Sequence, residues 1–476
     1  MLARLFELSA KFVKPLAELA RSPRGLWYVV GAFVVESTAY FGILTLMIPY
    51  FSTDLKWPDA YASLGVSVFT MLVTLFMLGL GSFAESFGLR RAIVVALLVN
   101  TVGRAIYCGL PALSAPLAAA GAVLSLLLVA AGSGILQPVC YSGVKQFTDE
   151  KTSSMGYAMI YAIMNLGIVV IGALSAWVRP GVQAIVDRPN SAEESNVILQ
   201  WFASFSGSGV NAVNWLCVGI TGWTLVMFFL LMTRKAEAAR LRPESPLTDS
   251  AGPKPALATR FWRYLTDGPF GNARFVLFIF MLLPVRTLFA HQWLTMPEYI
   301  LRAYPQSFGD KMEWLVNWIN PLIIFFGVPL ATMLTRRFHV YTMMIVGSFV
   351  SAAPTFLLGF GPDLRLLITY FVVFSIGEAL WSARFLEYAS ELAPPGRVAQ
   401  YMGLAQIPWL LAKGTTGLYS GYLLGTLCPK DVPPEQLHTG TLWIIYACIA
   451  MTSPIGLWLG RKWVHRGLQQ SKQSLA

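Results

Sequence analysis

The chain has 476 residues, 56% of them apolar and only 12% charged, and its mean hydropathy is +0.59. A soluble domain is about 45–50% apolar and about 25% charged, so water is the wrong solvent for most of this chain, which excludes a soluble multidomain enzyme, a disordered scaffold and a nucleic-acid-binding protein. The formal charge of +11, from 35 Lys and Arg against 24 Asp and Glu, has a topological explanation given below.

In chain order, residues 1–24 scatter Arg4, Lys11, Lys14, Arg21 and Arg24 among apolar residues, with Glu7 and Glu18. No uninterrupted apolar stretch precedes a small-residue cleavage site, so the segment reads as a cytoplasmic amphipathic element and not as a signal peptide. A spanning helix needs about 20 mostly apolar residues, and twelve such segments follow. Six lie at 25–50, 61–84, 91–112, 115–145, 154–178 and 211–233, and six more at 273–301, 315–336, 339–360, 364–393, 398–426 and 440–462. The runs are continuous and lack the alternation of membrane strands, which predicts an all-α membrane protein. The polar stretch 234–272, with Pro243, Pro246, Pro253 and Pro255, divides the spans six and six and reads as a cytoplasmic linker between an N-terminal half, 25–233, and a C-terminal half, 273–462. Residues 463–476 read as a tail on the same side. Most Lys and Arg fall in the termini and the even-to-odd loops. The opposite loops hold only Lys56, Arg179, Arg188, Arg302, Lys311, Arg365 and Lys430. The positive-inside rule then places both termini in the cytoplasm, and the excess positive charge needs no nucleic acid.

A repeat supports the division. Gly81-Ser-Phe-Ala-Glu85-Ser-Phe-Gly88-Leu-Arg90-Arg91 follows the second span, and Gly327 to Arg336-Arg337 follows the eighth. Two helical halves with matching loop elements are the pattern of a repeat-built secondary transporter; two unrelated basic turns would read the same way locally.

Ionisable residues inside spans cost roughly 2.5–3.5 kcal/mol each on insertion scales and call for a reason. Glu36 stands in the first span, Arg104 in the third, Arg286 in the seventh, Glu378 in the tenth and Lys413 in the eleventh, with His291 and Glu298 further along the seventh. In a two-half transporter the first, seventh and tenth spans would face a central cavity, so Glu36, Arg286 and Glu378 are expected to meet at similar depth. A buried carboxylate beside a removable cation is a proton switch; Arg286 alone could hold a carboxylate or phosphate. The plainer reading is that such charges only lock helices together, as Arg384 and Glu387, three apart on one helix, are expected to do. Arg104 and Lys413 lie on spans not expected to line the cavity, and a lone His291 reads equally as a hydrogen-bonded packing residue. Gly132-Ser-Gly134 with Pro138, Pro284 and Pro297, and Asn320-Pro321 with Pro329 mark places for gating bends or for close small-residue packing. Cys108, Cys140, Cys217, Cys428 and Cys448 are far apart without CxxC spacing and read as free thiols. The sequence carries no HExxH and no Walker A loop, so neither an enzyme nor ATP-driven transport is expected, and no metal or cofactor.

At these residues the chain resembles a major facilitator superfamily transporter, its Gly81–Arg91 segment being similar to that superfamily's loop motif with Glu85 in place of the usual Asp. More narrowly it resembles the proton-coupled oligopeptide transporter family. Glu36-Ser-Thr-Ala-Tyr40-Phe-Gly42 is similar to the end of the family's first-helix ExxER signature, and Gly132 to Pro138 to its fourth-helix motif. Tyr161-Ala-Ile-Met-Asn165-Leu-Gly167 is similar to FYxxINxG. Asn320-Pro321, and Gly377-Glu378 followed by Leu392-Ala-Pro394, are similar to elements of the eighth and tenth helices. The resemblance implies two six-helix halves, alternating access and a peptide-like solute taken up with protons. In it Glu378 faces the substrate's amino end and Tyr40 an aromatic cavity position. The chain departs where Phe33 and Ser37 replace the other ExxER charges and Gln137 replaces the fourth-helix lysine. Those charges carry proton coupling and peptide-carboxyl recognition in the family.

The sequence reading is therefore a twelve-helix inner-membrane transporter, monomeric and without cofactor, for a small organic solute. Glu36, Tyr40, Arg286 and Glu378 are the candidate substrate- or proton-binding residues. Arg104, Gln137, His291, Asn320 and Lys413 are secondary candidates, and Gly81, Glu85, Gly88, Arg90 and Arg91 form the loop motif. The rival readings are the same fold with a changed substrate or export direction, and a transporter-like receptor or assembly subunit that moves nothing.

Overall fold

The structure is a computed structural model and describes residues 18–85, 88–149, 152–188, 196–241, 273–335, 338–391 and 407–473. Regular structure among these residues is helical throughout. Backbone N–H and C=O groups in hydrocarbon have no water to bond, and a helix satisfies them within one segment. Among the described residues, each of the twelve expected spans contains helix. The first half holds Arg24–Pro49, continued by a π-helical turn over Tyr50–Asp54, then Asp59–Glu85, Leu89–Gly109, Ala115–Phe147, Ser153–Asp187 and Gly209–Leu231. The second half begins with a broken seventh span and continues with Met312–Leu334, Val340–Ala352 extended by a 3-10 stretch to Phe360, Leu364–Glu391, Ile407–Leu427 and Thr439–Gln473. Ten helical segments among the described residues are long and apolar enough to cross a membrane by themselves, and the eighth span has a shorter apolar core, Met312–Val328. The protein is an all-α, multi-pass integral membrane protein with a twelve-helix architecture. The expected amphipathic segment through residue 17, most of the linker (242–272), Arg336 and Arg337, Leu392 to Pro394 and the last three residues lie outside the described residues.

Two features correct the sequence reading. The seventh span is not one helix but three, Ala273–Met281, Leu283–Leu294 and Met296–Ala303. Pro284 and Pro297 each sit at the second position of a new piece, where the missing proline N–H costs nothing, whereas mid-helix the ring would clash with the preceding turn. At the first break the Val285 N–H donates to Ser453 Oγ of the twelfth span at 2.8 Å. The second feature is a helix between the fifth and sixth spans, Val197–Ser206. Asn196 caps its start by accepting from the Ile198 N–H at 2.9 Å. Gly207 ends it with φ 74°, in the left-handed region that glycine adopts without strain. Ser208 then caps the sixth span through the Asn211 N–H at 3.0 Å. Trp201, Phe202, Phe205, Trp215 and Trp223 line an apolar recess of 510 Å³ beside this helix.

The chain divides into two compact units, Met1–Trp57 with Phe69–Asp249, and Pro58–Val68 with Ser250–Ala476. In the first unit Val29, Phe33, Ile93, Leu97, Val144 and Phe147 form part of the core. Between helices in lipid the attraction is packing and hydrogen bonding more than water exclusion, so small residues sit where backbones approach. Gly132 is such a place: a Cβ there would run into the Asn100 side chain and the Ala96 carbonyl of the third span. The fourth helix runs unbroken through Pro138, so this stretch serves close packing. In the second unit the eleventh span carries Gly417 and Gly421 against the start of the second span. A Cβ on Gly417 would collide with Ser67, and one on Gly421 would lie 2.6 Å from the Asp59 carbonyl oxygen.

Candidate functional site

In the first unit the buried charge centres on Glu36. Arg104 Nη2 lies 2.7 Å from one carboxylate oxygen, and its Nη1 donates to the other at 3.0 Å. Asn100 Nδ2 donates to the same carboxylate at 2.9 Å, and Arg104 also reaches Thr221 Oγ1 of the sixth span. Glu36 is 2% exposed and Arg104 and Asn100 are fully buried. Asn100 and Arg104 are i, i+4 and share one face of the third helix. That spacing is the signal by which the sequence could have revealed this arrangement. Arg104, only a secondary candidate because its span is not expected to line a cavity, is the partner of Glu36. Tyr40, one turn further on, packs against Phe41 and Phe69 at centroid distances of 5.3 and 6.1 Å. Ser37 is buried, and Gln137 is half-buried on the fourth span.

In the second unit the two leading candidates, Glu378 and Arg286, are of opposite sign. Glu378 stands midway along the tenth helix, and Asn320 Nδ2 donates to its carboxylate at 2.6 Å and lies 3.0 Å from Ser375 Oγ. Glu378 has no cationic partner among the described residues. Arg286 stands on the middle piece of the seventh span, 5% exposed. Its guanidinium lies 4.2 Å from the centre of the Phe385 ring, with Trp381 at 5.7 Å and Trp409 at 5.9 Å. Its Nε is buried and donates to no partner among the described residues. Lys413 Nζ lies 5.1 Å from the same Trp409 ring. Arg286 and Glu378, expected to meet, are thus held by other neighbours: an amide fixes the acid and aromatic rings fix the base.

His291 is a packing residue. It is fully buried, its Nδ1 is 2.9 Å from Thr295 Oγ1, its Nε2 is 3.2 Å from the Tyr419 hydroxyl, and its ring stacks on Tyr446 at 3.7 Å. The side chains of Arg384, Glu387 and Tyr161 lie outside the described residues, as do the surroundings of Gly81 and Glu85. The rest of the loop motif is described. Gly88, with φ 84°, precedes the third helix. The Arg90 backbone N–H donates to Glu237 at 3.1 Å, and its side chain donates to the Met232 and Phe229 carbonyls at the end of the sixth helix. Arg90 therefore caps that helix, whose last carbonyls lack partners of their own. Arg91 is exposed.

One ionic cluster was read from the sequence only in pieces, Arg302 and Lys430 as loop charges and Glu298 as a charge within the seventh span. Arg302, on the last piece of the seventh span, makes two bonds of 2.8 Å to the Asp59 carboxylate. It also makes one of 2.8 Å to Glu298 and one of 2.7 Å to the Cys428 carbonyl. Lys430 lies 3.9 Å from Asp59. Burial pushes the Lys430 ammonium below its ordinary pKa, against the pull of Glu298 and Asp59. The cluster ties the beginning of the second span to the end of the seventh, within the second unit.

Comparison with known proteins bears on this arrangement. A crystal structure of a POT family transporter in complex with a thioalcohol-conjugated peptide is similar at a TM-score of 0.68 and 17% identity, over 93% of this chain and 97% of that one. A second, in complex with 5-aminolevulinic acid, gives 0.65 and 18% over the same shares. A peptide transporter POT in complex with sulfate gives 0.68 and 14%, over 93% and 95%. At such identities the likeness is one of fold. The multidrug resistance protein MdtH of Blochmanniella pennsylvanica (strain BPEN) is 26% identical over 187 residues, 39% of this chain, and the match spans 44% of that relative's length. The family model described as Major Facilitator Superfamily matches residues 29–414. With that match across most of its length and with this helical architecture, the chain belongs to the Major Facilitator Superfamily.

Proposed function

We propose that this chain is a secondary active transporter that carries a small, peptide-like organic solute together with protons by alternating access. In this reading it is a monomer in a bacterial-type inner membrane with both termini cytoplasmic. Residues 25–233 and 273–462 are its moving halves, 234–272 is the linker, and the Gly81–Arg91 loop takes part in gating. Its family and fold are those of transporters rather than enzymes.

The observation that carries the reading is Glu378, a mid-span carboxylate held by Asn320 at 2.6 Å with no cation beside it among the described residues. Glu378 is half-buried, and an ionised carboxylate partly withdrawn from water is costly unless it is paired. Such a group takes a ligand ammonium or a proton; where it holds the ammonium, the proton that travels with the solute needs a second acid. Glu36 is the candidate for that second acid, able to take up a proton only when Arg104 moves away. Tyr40 offers an aromatic wall. The motif resemblances along the first, fourth, fifth, eighth and tenth spans favour a peptide-like solute, and solved relatives of the same fold are peptide transporters.

The test is dipeptide uptake into proteoliposomes under an inward proton gradient, comparing the wild type with Glu378→Gln and Glu36→Gln. Gradient-driven uptake that Glu378→Gln abolishes supports the reading. A folded, inserted wild type that moves no dipeptide overturns it. A changed substrate or export direction is the second reading. It is favoured by Phe33, Ser37 and Gln137 standing where the resembled family has charges, and by the partial match to a multidrug resistance protein. Proton-driven extrusion of a cationic dye from inverted vesicles tests it.

A further inference from the structure

The two units treat their buried cations differently. In the first, Arg104 is neutralised by Glu36 at 2.7 Å, and the positions where the resembled family carries its peptide-carboxyl cations are Ser37 and Gln137. In the second, Arg286 is 5% exposed and has no carboxylate partner among the described residues; its buried Nε, like that of Arg104, donates to no described group, so the missing carboxylate is what sets Arg286 apart. Three aromatic rings lie within 6 Å of its guanidinium, and each such contact offsets about 0.5–2 kcal/mol. Desolvating a guanidinium costs several kcal/mol, so the cage reduces the cost without closing it. An unanswered buried donor is what an anionic ligand would complete, with charge-assisted bonds stronger than neutral ones. Lys413, over the face of the same Trp409 ring, adds positive field at that place.

The same unit holds Glu378 without a cation. A purely structural acid and base so placed would pair. Here each is held away from the other, Glu378 by Asn320 and Arg286 by its rings. Glu378 and Phe385 are seven residues apart on one continuous helix, a rise of roughly 10 Å. A chain of two to three residues extends roughly 7–11 Å, so a small zwitterion spans that separation.

Resting on the peptide-like reading above and deepening it, we infer that the solute's anionic end binds in the C-terminal half, at Arg286 in its Trp381–Phe385–Trp409 cage, with its ammonium at Glu378. Both charged ends are then read by one half. The rings around Arg286 select an apolar or aromatic side chain next to the carboxylate, as in a dipeptide ending in phenylalanine.

Binding of Ala-Phe, its C-terminal amide and N-acetylphenylalanine to purified wild type, Arg286→Gln and Arg286→Lys tests this. The wild type is expected to bind the acid about ten- to a hundredfold more tightly than the amide. Arg286→Gln is expected to bind acid and amide alike, and Arg286→Lys, which keeps the charge, to retain part of the preference. The acid–amide comparison on wild type needs no variant and stands whether or not Arg286→Gln folds. Equal affinity of wild type for acid and amide, or a preference that survives in a folded Arg286→Gln, overturns the inference and leaves peptide transport intact. Binding of N-acetylphenylalanine that depends on Arg286, without binding of either peptide, supports the anion site and removes the peptide reading. Binding of none of the three probes to a folded wild type overturns both.

Discussion

The Arg104 guanidinium lies 2.7 Å from the Glu36 carboxylate, and neither side chain is open to solvent. The pair joins the first and third spans, and Thr221 brings in the sixth. Removing one partner of a buried pair leaves the other charge stranded, at a cost of about 3–5 kcal/mol, whereas replacing both with apolar groups is often neutral. Arg104→Met alone should therefore lower the melting temperature of the detergent-solubilised protein, and Glu36→Leu with Arg104→Met should recover most of the loss. Thermal unfolding of the two variants decides it; a single substitution without effect would show that the pair does not hold these helices.

Glu378 lets binding be told from coupling. If its carboxylate holds the solute's ammonium, Glu378→Gln should abolish gradient-driven uptake and exchange of labelled against unlabelled solute alike; exchange that survives would mean that Glu378 serves coupling only. Asn320→Ala removes the only hydrogen-bond donor to Glu378 found among the described residues. It frees the acid from that fixed partner, so the apparent affinity for solute should fall by about two- to tenfold. Uptake measured against solute concentration in Asn320→Ala checks this; an unchanged affinity would show that the amide does not position Glu378.

Arg302 and Asp59 are 7% and 10% exposed and meet through two bonds. A double-mutant cycle of Arg302→Met and Asp59→Asn should give a coupling energy of about 0.5–3 kcal/mol. Additive effects on unfolding would place the stabilisation in the other contacts of Arg302, to Glu298 and the Cys428 carbonyl.

Gly417 leaves no room for a Cβ beside Ser67. Overpacking of this kind costs about 1–3 kcal/mol, so Gly417→Ala should lower both stability and uptake rate. Ser67→Gly in the same chain should restore them. Failure of that rescue would mean that the contact is not what limits Gly417.

The spans were legible because hydrocarbon demands some twenty apolar residues at a time. Glu378 and Arg286 were legible because charge in such a run is rare. What escaped was what sequence distance hides. Arg104 lies 68 residues from Glu36, and no local pattern announces their meeting, although Asn100 one turn before Arg104 could have been taken as a second polar residue on the same face. Arg302 was legible as a loop cation but not as the hub of four bonds. Val197–Ser206, ten residues long, falls below the length that marks a span. Pro284 and Pro297 announced the interruptions of the seventh span, but not the Ser453 hydroxyl that receives the freed N–H.

Those interruptions make the seventh span a linkage of three rods. The middle rod carries Arg286, and the last carries Glu298 and Arg302. A helix bends most readily where its bond ladder is interrupted, so bending strain on this span falls first on its two breaks. The first is tied to the twelfth span through Val285 and Ser453, and at the second Thr295 bonds the His291 carbonyl on one side and receives the Tyr299 N–H on the other, which sets the piece bearing Arg302 apart from the piece bearing Arg286.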